Sequence, residues 1–118
     1  MENKIFDGEL KLMELIWKCG KVSAKELSLL AEKEIGWNKN TTYTVAKKLE
    51  TKGYIKREEP GFLCTALVTK DEIAKSETRS LVNRLFGGSK KALFSSLLED
   101  EKLTKEEIDE LKEMIEKQ

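Results

Sequence analysis

Pro60 is the only proline in 118 residues, and Gly61 follows it. They mark the one place where the helical periodicity of the chain gives way. On either side, Tyr54-Ile-Lys-Arg-Glu58 and Phe62-Leu-Cys-Thr-Ala-Leu67 read as two short strands joined by a turn at Glu59-Pro60-Gly61. Proline presets φ at the head of such a turn, and glycine supplies the left-handed position that follows. Every other long segment carries helix signals, so the chain must place one small hairpin among helices.

Start and stop signals divide the helical part. Asp7 is expected to cap a first helix through Lys18, with Leu10, Met13, Ile16 and Trp17 at helical spacing and Gly20 as its stop. Ser23-Ala-Lys-Glu26 reads as a capping box opening a second helix, with Leu27, Leu30 and Ala31 inward and an end near Gly36. Asn38 is expected to cap a third helix running to about Lys52 and closed by Gly53. On that helix Thr42, Val45, Ala46 and Leu49 share one side, and Asn40, Tyr43, Thr44 and Lys47 face away from it.

After the hairpin, Thr69-Lys-Asp-Glu72 is a second capping box, and its helix carries Ile73, Leu81, Val82 and Leu85 as far as Phe86-Gly87-Gly88. Ser89 caps a helix with Leu93, Phe94, Leu97 and Leu98. Thr104, with Glu107 three residues on, caps a last one with Ile108, Leu111 and Ile115. The order is three helices, a hairpin and three more helices, with the expected boundary between residues 68 and 69. Three short helices followed by a hairpin is the winged form of helix-turn-helix. The predicted fold is therefore mainly α, an α+β winged helix over 1–68 followed by an all-helical dimerisation region over 69–118.

Inventory excludes much else. The chain has no histidine and only two cysteines, Cys19 and Cys64, whose spacing matches no zinc or redox motif. No metal site, cofactor or His-dependent catalytic arrangement is expected. Carboxylate pairs such as Glu106-Glu107 lie on a solvated acidic helix without a glycine-rich phosphate loop nearby, which argues against an enzyme. Cys19 is read as a small buried hydrophobe and Cys64 as a strand residue. No apolar run reaches signal-peptide or membrane-spanning length, so the expected location is the cytoplasm, without membrane insertion.

Charge sums to zero, with 22 basic and 22 acidic residues, but it is segregated. From Asn38 to Arg57 six cations (Lys39, Lys47, Lys48, Lys52, Lys56, Arg57) meet only Glu50, a balance of +5, and Leu97 to Gln118 balances at −5. The basic stretch falls on the third helix and the first wing strand, the two elements such a fold presents to DNA. Asn40, Thr41, Tyr43 and Thr44 sit where side chains reach base edges, Lys47 and Lys48 suit phosphates, and Lys56 and Arg57 are expected to touch the backbone from the wing. Trp17 and Trp37 are read as packing residues rather than stacking platforms.

Leu81, Leu85, Leu93, Phe94, Leu97, Leu98, Ile108, Leu111 and Ile115 are more apolar surface than a small C-terminal region can cover alone. The economical cover is a second copy, so a homodimer on an inverted-repeat operator is expected. A winged helix acting as a protein–protein adaptor is the alternative, and the threonine-rich start of the third helix and the basic stretch weigh against it.

Several segments in order resemble the penicillinase-repressor family. Glu9, Met13, Ile16 and Trp17 are similar to its first-helix pattern, and Val22-Ser-Ala-Lys-Glu-Leu27 to the opening of its second helix. Trp37, Thr41, Thr44, Leu49, Lys52 and Gly53 resemble its recognition-helix block. Phe86-Gly-Gly-Ser89 and Leu103-Thr-Lys-Glu-Glu-Ile-Asp-Glu-Leu111 resemble its dimerisation region. The resemblance implies a homodimeric repressor of β-lactam resistance or a related stress response. Its expected operator is a double-stranded inverted repeat with half-sites containing TACA, released when a membrane sensor signals and a sensor-linked protease cuts the dimerisation region.

The family's scissile position maps to Ser96-Leu97, where members cut in this way commonly have Asn-Phe. The wing also departs, with Gly61-Phe62 where the family often has Gly-Arg. Unlike the copper-responsive branch, the chain has no cysteine after Cys64.

Overall fold

A computed structural model describes residues 4–100 and 102–118; residues 1–3 and 101 lie outside the described residues. The elements run α1 (Asp7–Cys19), β1 (Lys21–Ser23), α2 (Ala24–Glu34), α3 (Lys39–Thr51), β2 (Ile55–Glu58), β3 (Leu63–Ala66), α4 (Lys70–Phe86), α5 (Lys90–Asp100) and α6 (Lys105–Glu116). This is a winged helix followed by further helices. The three strands form one antiparallel sheet in the order β1-β3-β2, with Val22 and Arg57 both opposite Cys64.

Most caps act as the sequence predicts. Ser23 Oγ accepts the Glu26 N–H at 3.1 Å, Asn38 Oδ1 that of Thr41 at 2.8 Å and Ser89 Oγ that of Ala92 at 3.0 Å. Thr69 with Glu72 and Thr104 with Glu107 each close a reciprocal capping box. Gly53 ends α3 at φ +80, a conformation that carries little penalty only without a Cβ.

Three local expectations are corrected. Asp7 is the first residue of α1 rather than its cap; Phe6 holds that position, and its N–H donates to Glu9 Oε1 at 2.9 Å. The apolar stripe of α1 is also rotated, so that Leu12, Met13 and Ile16 are fully buried while Leu10 stands at the margin. Finally, the stretch between the expected stop at Gly20 and the capping box opening at Ser23, to which the sequence signals assign no element, is a strand, Lys21–Ser23: β3 is paired on one side by β2 and its free edge takes up the residues that lead into α2.

The chain divides into two compact units, 1–78 and 79–118, with the division falling inside α4. In the first unit Leu12, Met13, Ile16, Leu27, Leu49 and Ile55 make the centre of the core, and Trp17 and Trp37 pack against it. Three contacts tie Val68 and the beginning of α4 to the rest of this unit. Ile73 is buried in its core, Trp17 Nε1 donates to the Val68 carbonyl at 2.8 Å, and the Ile5 N–H donates to Glu77 at 2.9 Å. Residues 69–78 therefore pack with the winged core, beyond the boundary expected at 68/69.

The second unit has almost no interior. Val82 is buried, whereas Leu85, Phe94, Leu97, Leu98, Ile108, Met114 and Ile115 are exposed.

Candidate nucleic-acid interface

The two sides of α3 are chemically distinct. Thr42, Ala46 and Leu49 face the core, and Thr42 Oγ1 donates to the Asn38 carbonyl at 3.2 Å, which satisfies its hydroxyl inside an apolar setting. Val45 is half-buried. Asn40, Thr41, Thr44, Lys47 and Lys48 are exposed, and the spacing from Asn40 through Thr44 to Lys47 and Lys48 lays them along one strip of the helix.

Thr44 Oγ1 donates to the Asn40 carbonyl at 2.9 Å. A hydroxyl has one proton to give, so Thr44 has its methyl group and oxygen lone pairs left for an incoming partner. Such a surface suits a thymine methyl or an exocyclic amine better than it suits an acceptor. Tyr43 is half-buried, with Lys39 Nζ 5.5 Å from its ring centre. The first turn of α3 holds no acidic residue, so the partial positive charge of its free N–H groups is not offset by a side chain there.

The cations of the basic stretch separate once they are folded. Lys47 and Lys48 enter no ion pair among the described residues. Lys56 is exposed and lies 3.1 Å from Glu58, a solvated pair of little energetic weight. Arg57 is more constrained: its Nη2 and Nε lie 2.9 and 3.1 Å from Glu50 Oε1, and its guanidinium lies 5.7 Å from the Phe62 ring. The hydrogen bond from Arg57 to Glu50 raises the arginine pKa further above its ordinary value, against the smaller opposing effect of partial burial. Arg57 thus acts as a strut from the wing to α3.

Lys52, counted with the basic face in the sequence, is instead directed into the protein, where Nζ pairs with Glu9 at 2.7 Å. Sequence reasoning missed both carboxylate partners. Glu50 and Arg57 join a helix to a strand, and Glu9 and Lys52 are 43 residues apart, so no helix-face spacing rule relates either pair.

Phe62, at the hairpin tip, is also a structural finding. It is exposed at φ +50, rare for an aromatic residue, and its carbonyl accepts the Ala24 N–H at 3.1 Å. Cys64 is a buried strand residue as expected, but Cys19 is exposed, because the last turn of α1 carries it away from the core.

In the C-terminal unit, Leu85, Phe94, Leu97, Leu98, Ile108 and Ile115 are exposed, while Leu81, Leu93 and Leu111 are half-buried. Ser96 and Leu97 both lie exposed within α5. Among the described residues there is no cluster of metal-binding side chains, and no helix is long and apolar enough to cross a membrane.

Comparison with known proteins agrees with this architecture. The chain is 28% identical over 115 residues to a penicillinase repressor of Bacillus licheniformis, covering 96% of this chain and 90% of that protein. It is 26% identical over 122 residues to the methicillin resistance regulatory protein MecI of Staphylococcus aureus, covering 99% of each. The solution structure of the DNA-binding domain of the repressor BlaI superposes with a TM-score of 0.55 at 26% identity, over 61% of this chain and 93% of that domain. The penicillinase repressor family description matches residues 5–117, and the chain belongs to that family.

Proposed function

We propose that this protein is a DNA-binding transcriptional repressor that acts as a homodimer on an inverted-repeat operator and controls β-lactam resistance or a related stress response. The observation that carries the reading is the exposed strip of α3, where Asn40, Thr41 and Thr44 stand beside two lysines without ion-pair partners among the described residues. Its support is the family and the likeness to a DNA-binding domain.

In this reading α3 enters the major groove. Asn40, Thr41, Tyr43 and Thr44 meet base edges, Lys47 and Lys48 meet phosphates, and Lys56 touches the neighbouring backbone from the wing. Arg57 reaches DNA only by sharing its charge with Glu50. A second copy covers the apolar residues of α5 and α6, which sets the two recognition helices about a two-fold axis and makes the operator palindromic.

Relief by a sensor-linked protease at Ser96-Leu97 carries one physical condition. The bond lies inside α5, so that helix must open before a protease can extend the chain for cleavage. The reading places the protein in the cytoplasm with its DNA.

Footprinting on the DNA upstream of the protein's own gene tests the proposal. Paired protection over an inverted repeat, weakening steeply with added salt, is the expected result. Failure to shift any duplex even in dilute buffer would reject it in favour of the adaptor reading.

A further inference from the structure

Lys52 is the C-terminal cap residue of α3, and its side chain does not lie with those of Lys47 and Lys48. Its Nζ donates to Glu9 Oε1 and to the carbonyl of Lys4, each at 2.7 Å, and sits 4.7 Å from the centre of the Phe6 ring. Glu9 is only 4% exposed, and the same Oε1 also accepts the Phe6 N–H at 2.9 Å. The end of the candidate recognition helix is thereby pinned to the first turn of α1.

We infer that Glu9 and Lys52 form a positioning pair for DNA binding: they fix the C-terminal end of α3 against α1, and Lys52 makes no phosphate contact. The inference rests on the DNA-binding reading above. To reach a phosphate, Lys52 would have to leave a buried carboxylate without its counter-charge, a far larger penalty than a solvent-screened phosphate contact returns. The other end of α3 is held by Trp37, the residue before its Asn38 cap, which packs against the hydrophobic core. Two anchors, one at each end, set the angle at which the strip from Asn40 to Lys48 meets a groove. Side-chain contacts to base edges depend on such placement to a fraction of an ångström.

The salt dependence of binding separates a positioning lysine from a phosphate lysine. The probe is a short duplex carrying TACA and its complement as an inverted repeat, titrated against wild type, Lys47→Ala, Lys52→Met and Glu9→Gln/Lys52→Met. Losing a phosphate contact lowers the slope of log K against log salt by about 0.9.

Lys47→Ala is expected to show that shallower slope. Lys52→Met is expected to bind on the order of tenfold more weakly with the slope of wild type, because it leaves a buried charge unpaired. The double variant is expected to recover most of the lost affinity at the same slope, since the introduced glutamine is neutral and its side-chain carbonyl still accepts the Phe6 N–H. A shallower slope in both Lys52 variants, or a double variant that binds no better than Lys52→Met, overturns the inference. Should circular dichroism find Lys52→Met unfolded, the slope of the double variant decides alone. Salt-independent binding by wild type would instead bring down the DNA-binding reading, an outcome visible without any substitution.

Discussion

Replacing Leu97 with aspartate tests the proposed dimer where the structure leaves it most visible. Leu97 is 57% exposed in α5, and its neighbours Phe94 and Leu98 are exposed as well. Full burial of a leucine contributes about 1.5–3 kcal/mol, so covering its exposed part contributes about 1–1.7 kcal/mol per copy and about 2–3 kcal/mol for a two-fold pair. Aspartate removes that contribution and adds the cost of desolvating a carboxylate, about 2 kcal/mol or more. With one carboxylate in each copy the sum is about 6–7 kcal/mol, which corresponds to a dissociation constant weaker by roughly four to five orders of magnitude. Sedimentation velocity over a micromolar dilution series reads this directly, with circular dichroism verifying that the variant keeps its helices. Wild type is expected to sediment as a dimer and Leu97→Asp as a monomer. A variant that stays dimeric over the same range, or a wild type that is monomeric throughout, refutes the reasoning.

Trp17→Phe keeps most of the packing but strips the Val68 carbonyl of its 2.8 Å partner, which is expected to cost about 1–2 kcal/mol and to lower the melting temperature of the first unit by several degrees. Asn38→Ala removes the cap of α3 and is expected to cost about 1 kcal/mol in chemical denaturation, whereas Asn38→Asp, which can still accept the Thr41 N–H, is expected to cost little. A thiol-specific reagent is expected to label the exposed Cys19 quickly and Cys64 only on unfolding. Burial pushes the Cys64 thiol up, and the nearby Arg57 charge only partly opposes it. A thiol whose folded value is raised favours the folded state below its unfolded value and loses that contribution as pH rises, so pH titration of stability in Cys64→Ala is expected to be flatter above about pH 8.5 than in wild type.

The places where the candidate site was legible in the sequence are those governed by nearest neighbours. The cap at Asn38, the stop at Gly53 and the split of α3 into Thr42-Ala46-Leu49 and Asn40-Thr44-Lys47 follow from interactions within four residues, and the structure reproduces each. The basic stretch was legible only as a count. Which cations remain available depends on acids from other elements, and Glu9, Glu50 and Glu58 divide that count between structural pairs and an open face.

The amino-acid order by itself determined the succession of the helices and the hairpin, because helix starts, helix stops and the Pro60-Gly61 turn are written in local backbone preferences. Only the tertiary structure decided that Lys21–Ser23 is a strand, that Cys19 is exposed, that α4 begins within the winged core and that Lys52 turns inward. Three residues have no intrinsic reason to be extended until β3 offers its edge. A lysine does not reveal its partner until folding brings a buried carboxylate from 43 residues away to within 2.7 Å. Those outcomes belong to contacts that exist only after the chain has closed on itself, and local preference carries no record of them.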